Sequence, residues 1–112
     1  LAPLAQLFLR NGTLNGKRLF SPETSHLFTT QSSLVPGSSR ALGWDTPGFA
    51  SSCGQFFSSK SYGHTGFTGT SLWIDSKRDF FVILLTNQVH PTRHNSKLAS
   101  LRPAFHDALN HS

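Results

Sequence analysis

The chain has 112 residues, which is enough for one small domain. Its composition, with 37% hydrophobic residues, 13% charged residues and ten phenylalanines, excludes an intrinsically disordered chain. The net charge of +5 comes from Lys and Arg residues that are scattered singly or in short pairs, so no basic run indicates a nucleic-acid partner. No apolar run approaches the ~20 residues that a membrane-spanning helix needs, and the single cysteine excludes an intrachain disulfide.

Two helices are predicted in the N-terminal part of the chain. Apolar residues recur at helical spacing over 1–9 and are followed by the stop signal Asn11-Gly12, which predicts a helix at about 2–10. Ser21-Pro22-Glu23 is typical of a helix start, because Ser caps, Pro suits the first helical position and Glu favours the positive end of the helix dipole. A second helix is therefore expected at about 22–30.

Strands are predicted in the middle of the chain. A short strand is expected at about 41–45, followed by a long Gly-, Ser- and Pro-rich loop at 45–60 that a compact domain seldom carries without a functional reason. Rough alternation of β-branched and aromatic residues predicts a strand at about 63–75. A nearly continuous apolar run then predicts a strand at about 79–87 that is covered on both faces.

A final helix is expected at about 98–110, with Pro103 either in its first turn or at a kink. Its predicted apolar face comprises Leu98, Leu101, Phe105, Ala108 and Leu109. The order of elements predicts an α+β fold in which antiparallel strands are flanked by helices, and the short set of strands is typical of one side of a larger sheet.

The stretch from Tyr62 to Thr70 carries the residues best suited to a binding site. It places several glycines, threonine hydroxyls and one His in a segment that otherwise favours a strand. Glycine inside a strand often marks the close approach of a ligand or of another backbone, and an edge strand can bind an acyl substrate by backbone pairing. The residues alone leave open a glycine-rich bend with an exposed His beside it.

His64-Thr65-Gly66 resembles the Lys-Thr-Gly element of serine β-lactamases and penicillin-binding proteins, with His in place of Lys. In that family a strand with this element is followed by a strand ending near an acidic turn and by an apolar strand ending in Asn. The segment 41–45 is similar to the Gly-Leu-Gly-Trp-acid strand that precedes the element. The likeness runs from about residue 2 to the end, and it implies the C-terminal part of the β-lactamase/transpeptidase-like fold.

The resemblance also implies roles for individual residues. The backbone N–H of Phe67 would be one of two oxyanion-hole donors, which makes it the catalytic candidate. His64, Thr65, Gly66 and Asn87 would bind and orient the substrate, with His64 in the place of the family's Lys. The implied partner of the full-length parent is a small-molecule acyl compound, and no cofactor or metal is implied.

The sequence departs from the family pattern in two motifs. The residues three positions before the four lysines are Leu14, Phe57, Ile74 and His94, so Ser-x-x-Lys is absent. The single tyrosine, Tyr62, is not followed by an Asn two positions on, so Tyr-x-Asn is absent as well. With an opening at Leu1 in mid-pattern, this predicts a C-terminal fragment that is inactive alone, from a parent that cleaves an ester, a β-lactam or a peptide amide through an acyl-enzyme.

Several alternatives stay open at this level. The alternative to a hydrolase fragment is a non-catalytic binding or interaction module that keeps the cleft-forming half of the fold. The face left exposed by truncation is expected to promote association. The compartment is not fixed by the residues, although export or a periplasmic location fits the resemblance.

Other reactive residue types are expected to be structural. Cys53 is expected to be a small packed residue, and the tryptophans to be core aromatics. The histidines 90, 94, 106 and 111 are expected to be exposed to solvent and not to hold a metal.

Overall fold

A computed structural model describes residues 1–32, 36–48, 51–94 and 96–111. Three helices and two antiparallel sheets form an α+β fold, in agreement with the prediction. In chain order the elements are α1 (Ala2–Leu9), β1 (Thr13–Leu14), β2 (Lys17–Arg18), α2 (Pro22–Thr29), β3 (Ser61–Thr65), β4 (Thr70–Asp75), β5 (Phe80–Leu85) and α3 (Leu98–His111). Within this part of the chain, no helix is long and apolar enough to cross a membrane.

The main sheet has the order β3-β4-β5, and both of its pairings are antiparallel. Gly63 lies opposite Trp73, and Trp73 lies opposite Val82. A Cβ on Gly63 would lie 2.4 Å from a ring carbon of Trp73 and 2.4 Å from the carbonyl oxygen of Leu72. Glycine at this position therefore lets the indole lie directly over β3.

Each face of the sheet is covered by a different part of the chain. On one face Ala5 of α1 packs with Tyr62, Leu72 and Ile74. On the other face Cys53, Phe57 and Trp73 form a second cluster, which the ring of His106 in α3 extends by an edge contact to Phe57 at 5.6 Å. The alternation of β4 side chains thus divides the core into two layers. The expectations that Cys53 is packed and that Trp73 is a core aromatic are confirmed, since both side chains are fully buried.

Local signals explain where the helices begin and end. The hydroxyl oxygen of Ser21 accepts from the N–H of Thr24 at 3.1 Å, so Ser21 caps α2 at its N-terminus. The chain leaves α1 through Asn11 and Gly12, which both have positive φ. A further Asn-Gly pair, Asn15-Gly16, also has positive φ and forms the tight turn between β1 and β2, as expected for a two-residue hairpin.

Two strand predictions are wrong. The range 41–45 is not a strand, because within it only Asp45 forms isolated bridges, one to Arg40 and one to Gly63. The range 63–75 is not one strand but a hairpin, because the chain reverses between Thr65 and Thr70. Glycines at both ends of this turn permit the reversal, and they were interpreted as interruptions within a single strand.

The apolar strand β5 is less buried than its sequence predicts. Its residues from Phe80 to Leu84 are half-buried, and Leu85 is 68% exposed. Among the described residues, β5 is an edge strand of the sheet, which accounts for the incomplete cover.

The predicted inward face of α3 is also wrong. Leu98 is buried, but Leu101 is 53% exposed and Leu109 is 47% exposed. Arg102 and His106 occupy the buried face instead, and the expected exposure of His106 is incorrect. An amphipathic pattern assigns polar side chains to the solvent-facing side of a helix. The pattern alone therefore places Arg102 and His106 on the wrong face.

Asp75 at the end of β4 joins three separate segments. Its fully buried carboxylate accepts from the N–H of Ser58 at 2.9 Å, from the hydroxyl of Ser58 at 2.6 Å and from Nε of Arg78 at 3.0 Å. Arg78 in turn donates to the carbonyl of Phe56 and to the side chain of Asn110 in α3. Burial raises the pKa of Asp75, but the hydrogen bonds from Ser58 and Arg78 outweigh burial, and the net pKa lies below its ordinary value of 3.8.

We expect Asp75→Asn to lower the free energy of unfolding by about 2–4 kcal/mol at neutral pH, because it removes the charge that Arg78 and Ser58 are arranged around. A lowered native pKa means that this stabilisation is complete above pH 3.8 and is lost as the pH falls through the native value. The difference between the two proteins in urea unfolding should therefore shrink below pH 3.8.

Asp79→Asn is the matched control. Asp79 is 61% exposed and meets Arg10 at 3.5 Å, so its loss should change the free energy of unfolding by less than about 0.5 kcal/mol. Equal effects of the two substitutions would contradict the role assigned to Asp75.

Candidate functional site

The candidate site lies at the end of β3 and in the turn that follows it. Gly63 exchanges two backbone hydrogen bonds with Asp45, at 2.7 and 2.9 Å, so the loop segment covers the outer edge of β3 there. Because backbone groups two residues apart on a strand point to the same side, Thr65 presents its N–H and carbonyl to that same outer edge. The edge is thus occupied at Gly63 and open beyond it.

The turn from Gly66 to Gly69 is closed by a hydrogen bond from the N–H of Gly69 to the carbonyl of Gly66 at 3.1 Å. Gly66 also donates to the carbonyl of Thr70 at 2.8 Å. A Cβ on Gly66 would lie 2.1 Å from the hydroxyl oxygen of Thr70, so a larger residue there would displace the Thr70 side chain. Phe67 and Thr68 occupy the two central positions of the turn.

Arg102 fixes this turn from the side of α3. Its Nη2 donates to the carbonyl oxygens of Gly66 and Thr70, both at 2.9 Å. The side chain is only 9% exposed, and its Nε has no partner among the described residues. A charged, buried donor to two carbonyls is a strong constraint, because water offers it no alternative. Sequence reasoning missed Arg102, because an amphipathic pattern assigns a cation to the outward face of a helix.

The segment after β5 holds the turn from the other side. Thr86 donates from its hydroxyl to the carbonyl of Gly69 at 2.5 Å. Gln88 donates twice, from its backbone N–H to the carbonyl of Thr68 at 2.8 Å and from its side chain to the carbonyl of Phe67 at 2.7 Å. Neither residue was singled out from the sequence, because no motif marks them.

The five residues predicted from sequence do not all meet. His64, Thr65, Gly66 and Phe67 are contiguous at the end of β3 and in the turn, and Phe67 is 70% exposed. Asn87 is exposed and accepts from the N–H of Val89 at 3.3 Å. Its neighbour Gln88 makes the contacts to the turn.

His64 is exposed, and its Nδ1 lies 2.7 Å from the carbonyl oxygen of Thr65. A carbonyl oxygen can only accept, so Nδ1 is the protonated nitrogen of the ring. In the neutral ring Nε2 is then left as an acceptor, which is a group that the Lys of the resembled motif does not offer.

Two cavities meet at this strand end, and both are lined by His64 and Thr65. One is a polar cleft of about 420 Å³ that also contains Arg40, Asp45 and Arg102. The other is a groove of about 290 Å³ with a mostly apolar lining that includes Leu1, Leu4, Trp44 and Leu72. The strand end therefore presents backbone groups between a polar and an apolar space, an arrangement suited to a compound with both kinds of group.

No group of three His, Cys, Asp or Glu side chains within the described ranges is arranged to hold a metal ion. His90 and His94 are exposed, as expected. His106 is the one whose environment differs most from the expectation. It is fully buried, with Nε2 at 3.4 Å from the hydroxyl of Ser71 and Nδ1 without a partner in the described part of the chain.

Burial lowers the pKa of His106 to about 4, and the charge of Asp107 opposes this shift while that of Arg102 adds to it. Since the native pKa lies below the unfolded value of 6.5, the neutral ring contributes stability that is complete above pH 6.5 and is lost as the pH falls towards 4. His106 lies one helical turn after Arg102, so acid should loosen α3 at the point where it holds the turn.

We expect the free energy of unfolding to fall by up to roughly 3 kcal/mol between pH 6.5 and 4, and His106→Gln to remove most of this slope. Urea unfolding at a series of pH values measures it. His26→Gln alters an exposed histidine of α2 and should keep the wild-type slope. A slope that persists in His106→Gln would assign the effect to another group.

Comparison with known proteins identifies one family for this chain. The Beta-lactamase family model matches residues 2–104. An N-acetylmuramyl-L-alanine amidase of Bacillus subtilis is 39% identical over 93 residues, which cover 80% of this chain and 21% of that protein. A putative D-alanyl-D-alanine carboxypeptidase of Escherichia coli O157:H7 is 37% identical over 93 residues, with the same coverage of 80% and 21%.

A further putative D-alanyl-D-alanine carboxypeptidase, from Salmonella paratyphi B, is 34% identical over 101 residues, or 88% of this chain and 23% of that protein. The chain thus spans about a fifth of the length of the curated relatives it matches. On the match that covers nearly all of its length, the chain belongs to the β-lactamase family.

Proposed function

We propose that this chain forms the strand-side wall of the acyl-binding site of a serine hydrolase that cleaves an ester, a β-lactam or a peptide amide through an acyl-enzyme. One observation carries the proposal. The backbone N–H of Phe67 has no partner among the described residues, although it lies in a turn whose carbonyl groups are all hydrogen-bonded. The turn therefore presents an unused donor on a rigid support.

A fixed N–H suits the chemistry of acyl transfer. When a nucleophile adds to a carbonyl carbon, negative charge develops on the carbonyl oxygen, and a preoriented donor stabilises that charge without having to reorganise. Phe67 N–H is the donor that we assign to this role. Arg102 and Gln88 hold the turn on either side, so the direction of this N–H does not depend on the substrate.

The remaining predicted residues would bind and orient the acyl compound. Thr65 offers a hydroxyl and a backbone N–H at the open edge, and Gly66 lets the chain pass close to Thr70 as it turns. His64 extends into the polar cleft in the place of the family's Lys. Asn87 contributes side-chain N–H donors at the rim, since its carbonyl oxygen already accepts from Val89.

The nucleophile is proposed to come from a segment outside these 112 residues, because Ser-x-x-Lys is absent from them. Its hydroxyl oxygen would bond to the acyl carbon and its proton would pass through a base to the leaving group, whose bond to the acyl carbon breaks. Water would then release the acid. The amidase and carboxypeptidase names of the relatives are consistent with acyl transfer of this kind.

We expect Phe67→Pro to lower kcat by about 10²–10³-fold in the complete polypeptide that carries this segment, because proline removes the N–H. Proline is favoured at the first central position of such a turn, so the backbone should keep its path. Phe67→Ala is the matched control, since it removes the ring and retains the N–H. The measurement is the steady-state rate of hydrolysis of a p-nitrophenyl ester.

The assignment fails if Phe67→Ala and Phe67→Pro lower kcat equally. In that case the ring of Phe67 would be the important group, as a contact for the substrate or the fold. Equal circular dichroism spectra of the two variants would show that the comparison concerns the site.

We further expect the 112-residue chain alone to release no burst of p-nitrophenol, since it lacks the nucleophile motif. In the complete polypeptide a fluorophosphonate probe should label a serine that lies outside this segment. A burst from the pure chain, or a labelled serine within it, would overturn this part of the proposal. Absence of labelling in the complete polypeptide would favour the alternative, a non-catalytic binding module.

A further inference from the structure

The guanidinium of Arg102 and the N–H of Phe67 belong to opposite sides of one peptide unit. Nη2 of Arg102 donates to the carbonyl oxygen of Gly66 at 2.9 Å, and that carbonyl lies in the peptide unit that joins Gly66 to Phe67. The unit is planar and trans, so its carbonyl and its N–H point in opposite directions. The cation therefore lies behind the donor that the proposed function assigns to the oxyanion.

A peptide unit transmits charge from one end to the other. Its C–N bond has partial double-bond character, so a donor at the carbonyl oxygen draws electron density from the nitrogen and makes the N–H a stronger donor. A charged donor does so more than a neutral one. The oxygen of Gly66 accepts from Arg102 and, at 3.1 Å, from the N–H of Gly69. Both hydrogen bonds polarise the unit towards a more positive N–H at Phe67.

The charge of Arg102 has no carboxylate partner within the described ranges. The side chain is only 9% exposed, and the other acceptor of Nη2 is the neutral carbonyl of Thr70 at 2.9 Å. Asp45 lines the same cleft, but its carboxylate accepts from Ser39 at 2.6 Å and from the N–H of Thr46 at 2.9 Å. Arginine stays protonated in proteins, so this site holds a buried cation that is not neutralised by an ion pair.

A buried cation costs more free energy than a neutral donor in the same place. Burial lowers the pKa of Arg102 below its ordinary value of 12.5, which reflects that cost. A neutral amide could donate to the carbonyl of Gly66 without it. The support of the turn alone therefore does not account for a charge at this position.

We propose that Arg102 is a positioning residue whose charge strengthens the oxyanion donor: through the peptide unit between Gly66 and Phe67, its guanidinium makes the N–H of Phe67 more positive and stabilises the charge that develops on the scissile carbonyl. The inference rests on the proposed function and assigns the charge a role beyond holding the turn. Both formation and hydrolysis of an acyl-enzyme pass through an oxyanion, so loss of the charge should lower kcat and kcat/KM equally and leave KM unchanged.

The first test compares Arg102→Lys with Arg102→Met, two side chains of similar length that differ in charge. The substrate is p-nitrophenyl acetate, whose acetyl group is uncharged and cannot form an ion pair with residue 102. The enzyme is the complete polypeptide that carries this segment. We expect Arg102→Met to lower kcat about tenfold at unchanged KM, which is part of the 10²–10³-fold that a whole oxyanion donor contributes, and Arg102→Lys to lower it less than about threefold.

The second test separates charge from hydrogen bonding. Arg102→Ala leaves a space beside the polar cleft, which the side chain of Arg102 lines. Guanidinium and urea are alike in shape and both donate hydrogen bonds, but only guanidinium is charged. At equal, non-denaturing concentrations we expect guanidinium to raise kcat of this variant about fivefold and urea to raise it less than about twofold.

Asp75→Asn is the matched control for a loss of stability. It disturbs the other end of α3, where Asp75 accepts from Arg78 and Arg78 donates to Asn110, and it does not touch the turn. Measured where circular dichroism shows every protein to be folded, it should keep the wild-type kcat.

Equal losses in Arg102→Lys and Arg102→Met would overturn the inference, and so would equal rescue by urea and guanidinium. A raised KM at unchanged kcat in Arg102→Met would overturn it as well, by placing Arg102 in substrate binding. The two tests use different variants, so either decides if a variant of the other does not fold. In all these cases a loss confined to Phe67→Pro would leave the proposed function standing. If the complete polypeptide does not hydrolyse the ester, the proposed function fails and this inference fails with it.

Discussion

The geometry of the candidate site depends on one buried cation, the guanidinium of Arg102. It reaches from α3 to the carbonyls of Gly66 and Thr70, which lie at the two ends of the turn. A hydrogen bond from a charged group is about twice as strong as one between neutral groups, and here both acceptors share one nitrogen. The direction of the Phe67 N–H is therefore set by a helix that is distant in sequence.

The two apolar layers of the sheet could not set this geometry by themselves. Burial of apolar surface is non-directional, so α3 could shift along the sheet at little cost if only apolar contacts held it. Buried polar groups remove that freedom at both ends of the helix. Arg102 fixes one end to the turn, and Asn110 joins Arg78 and the buried carboxylate of Asp75 at the other. Such contacts have strict distance requirements, and they specify one register for α3.

Local sequence patterns predicted the positions of helices and strands better than they predicted how these elements pack together. The cap at Ser21 and the apolar run of β5 are encoded within a few residues, and both led to elements close to those observed. The buried face of α3 is encoded by partners far along the chain, since Arg102 bonds to a residue 36 positions away. An amphipathic pattern assigns a polar side chain to solvent unless that distant partner is known. The range 63–75 was expected to be one strand for a different reason, because its glycines close a turn that the strand pattern alone does not show.

The residues of the candidate site also differ in whether local sequence or distant contacts identify them. The contiguous residues from His64 to Phe67 were singled out because a motif of that order resembles a known family, and the family match is independent of the structure. The groups that cap the carbonyls could not be found in this way. Thr86 and Gln88 are ordinary residues after a strand, and their role follows only from the fold that brings the end of β5 beside the turn.

The hydrogen bonds to the carbonyls of the turn also affect the electrostatics of the site. Along a regular strand edge, N–H and carbonyl groups alternate, so their partial charges largely cancel over the length of a substrate. Where His64 and Gln88 occupy the carbonyls of Thr65 and Phe67, the negative partial charges are neutralised and those of the free N–H groups remain. In the proposed function, the turn thus keeps a positive partial charge at the Phe67 N–H, where the oxyanion would form.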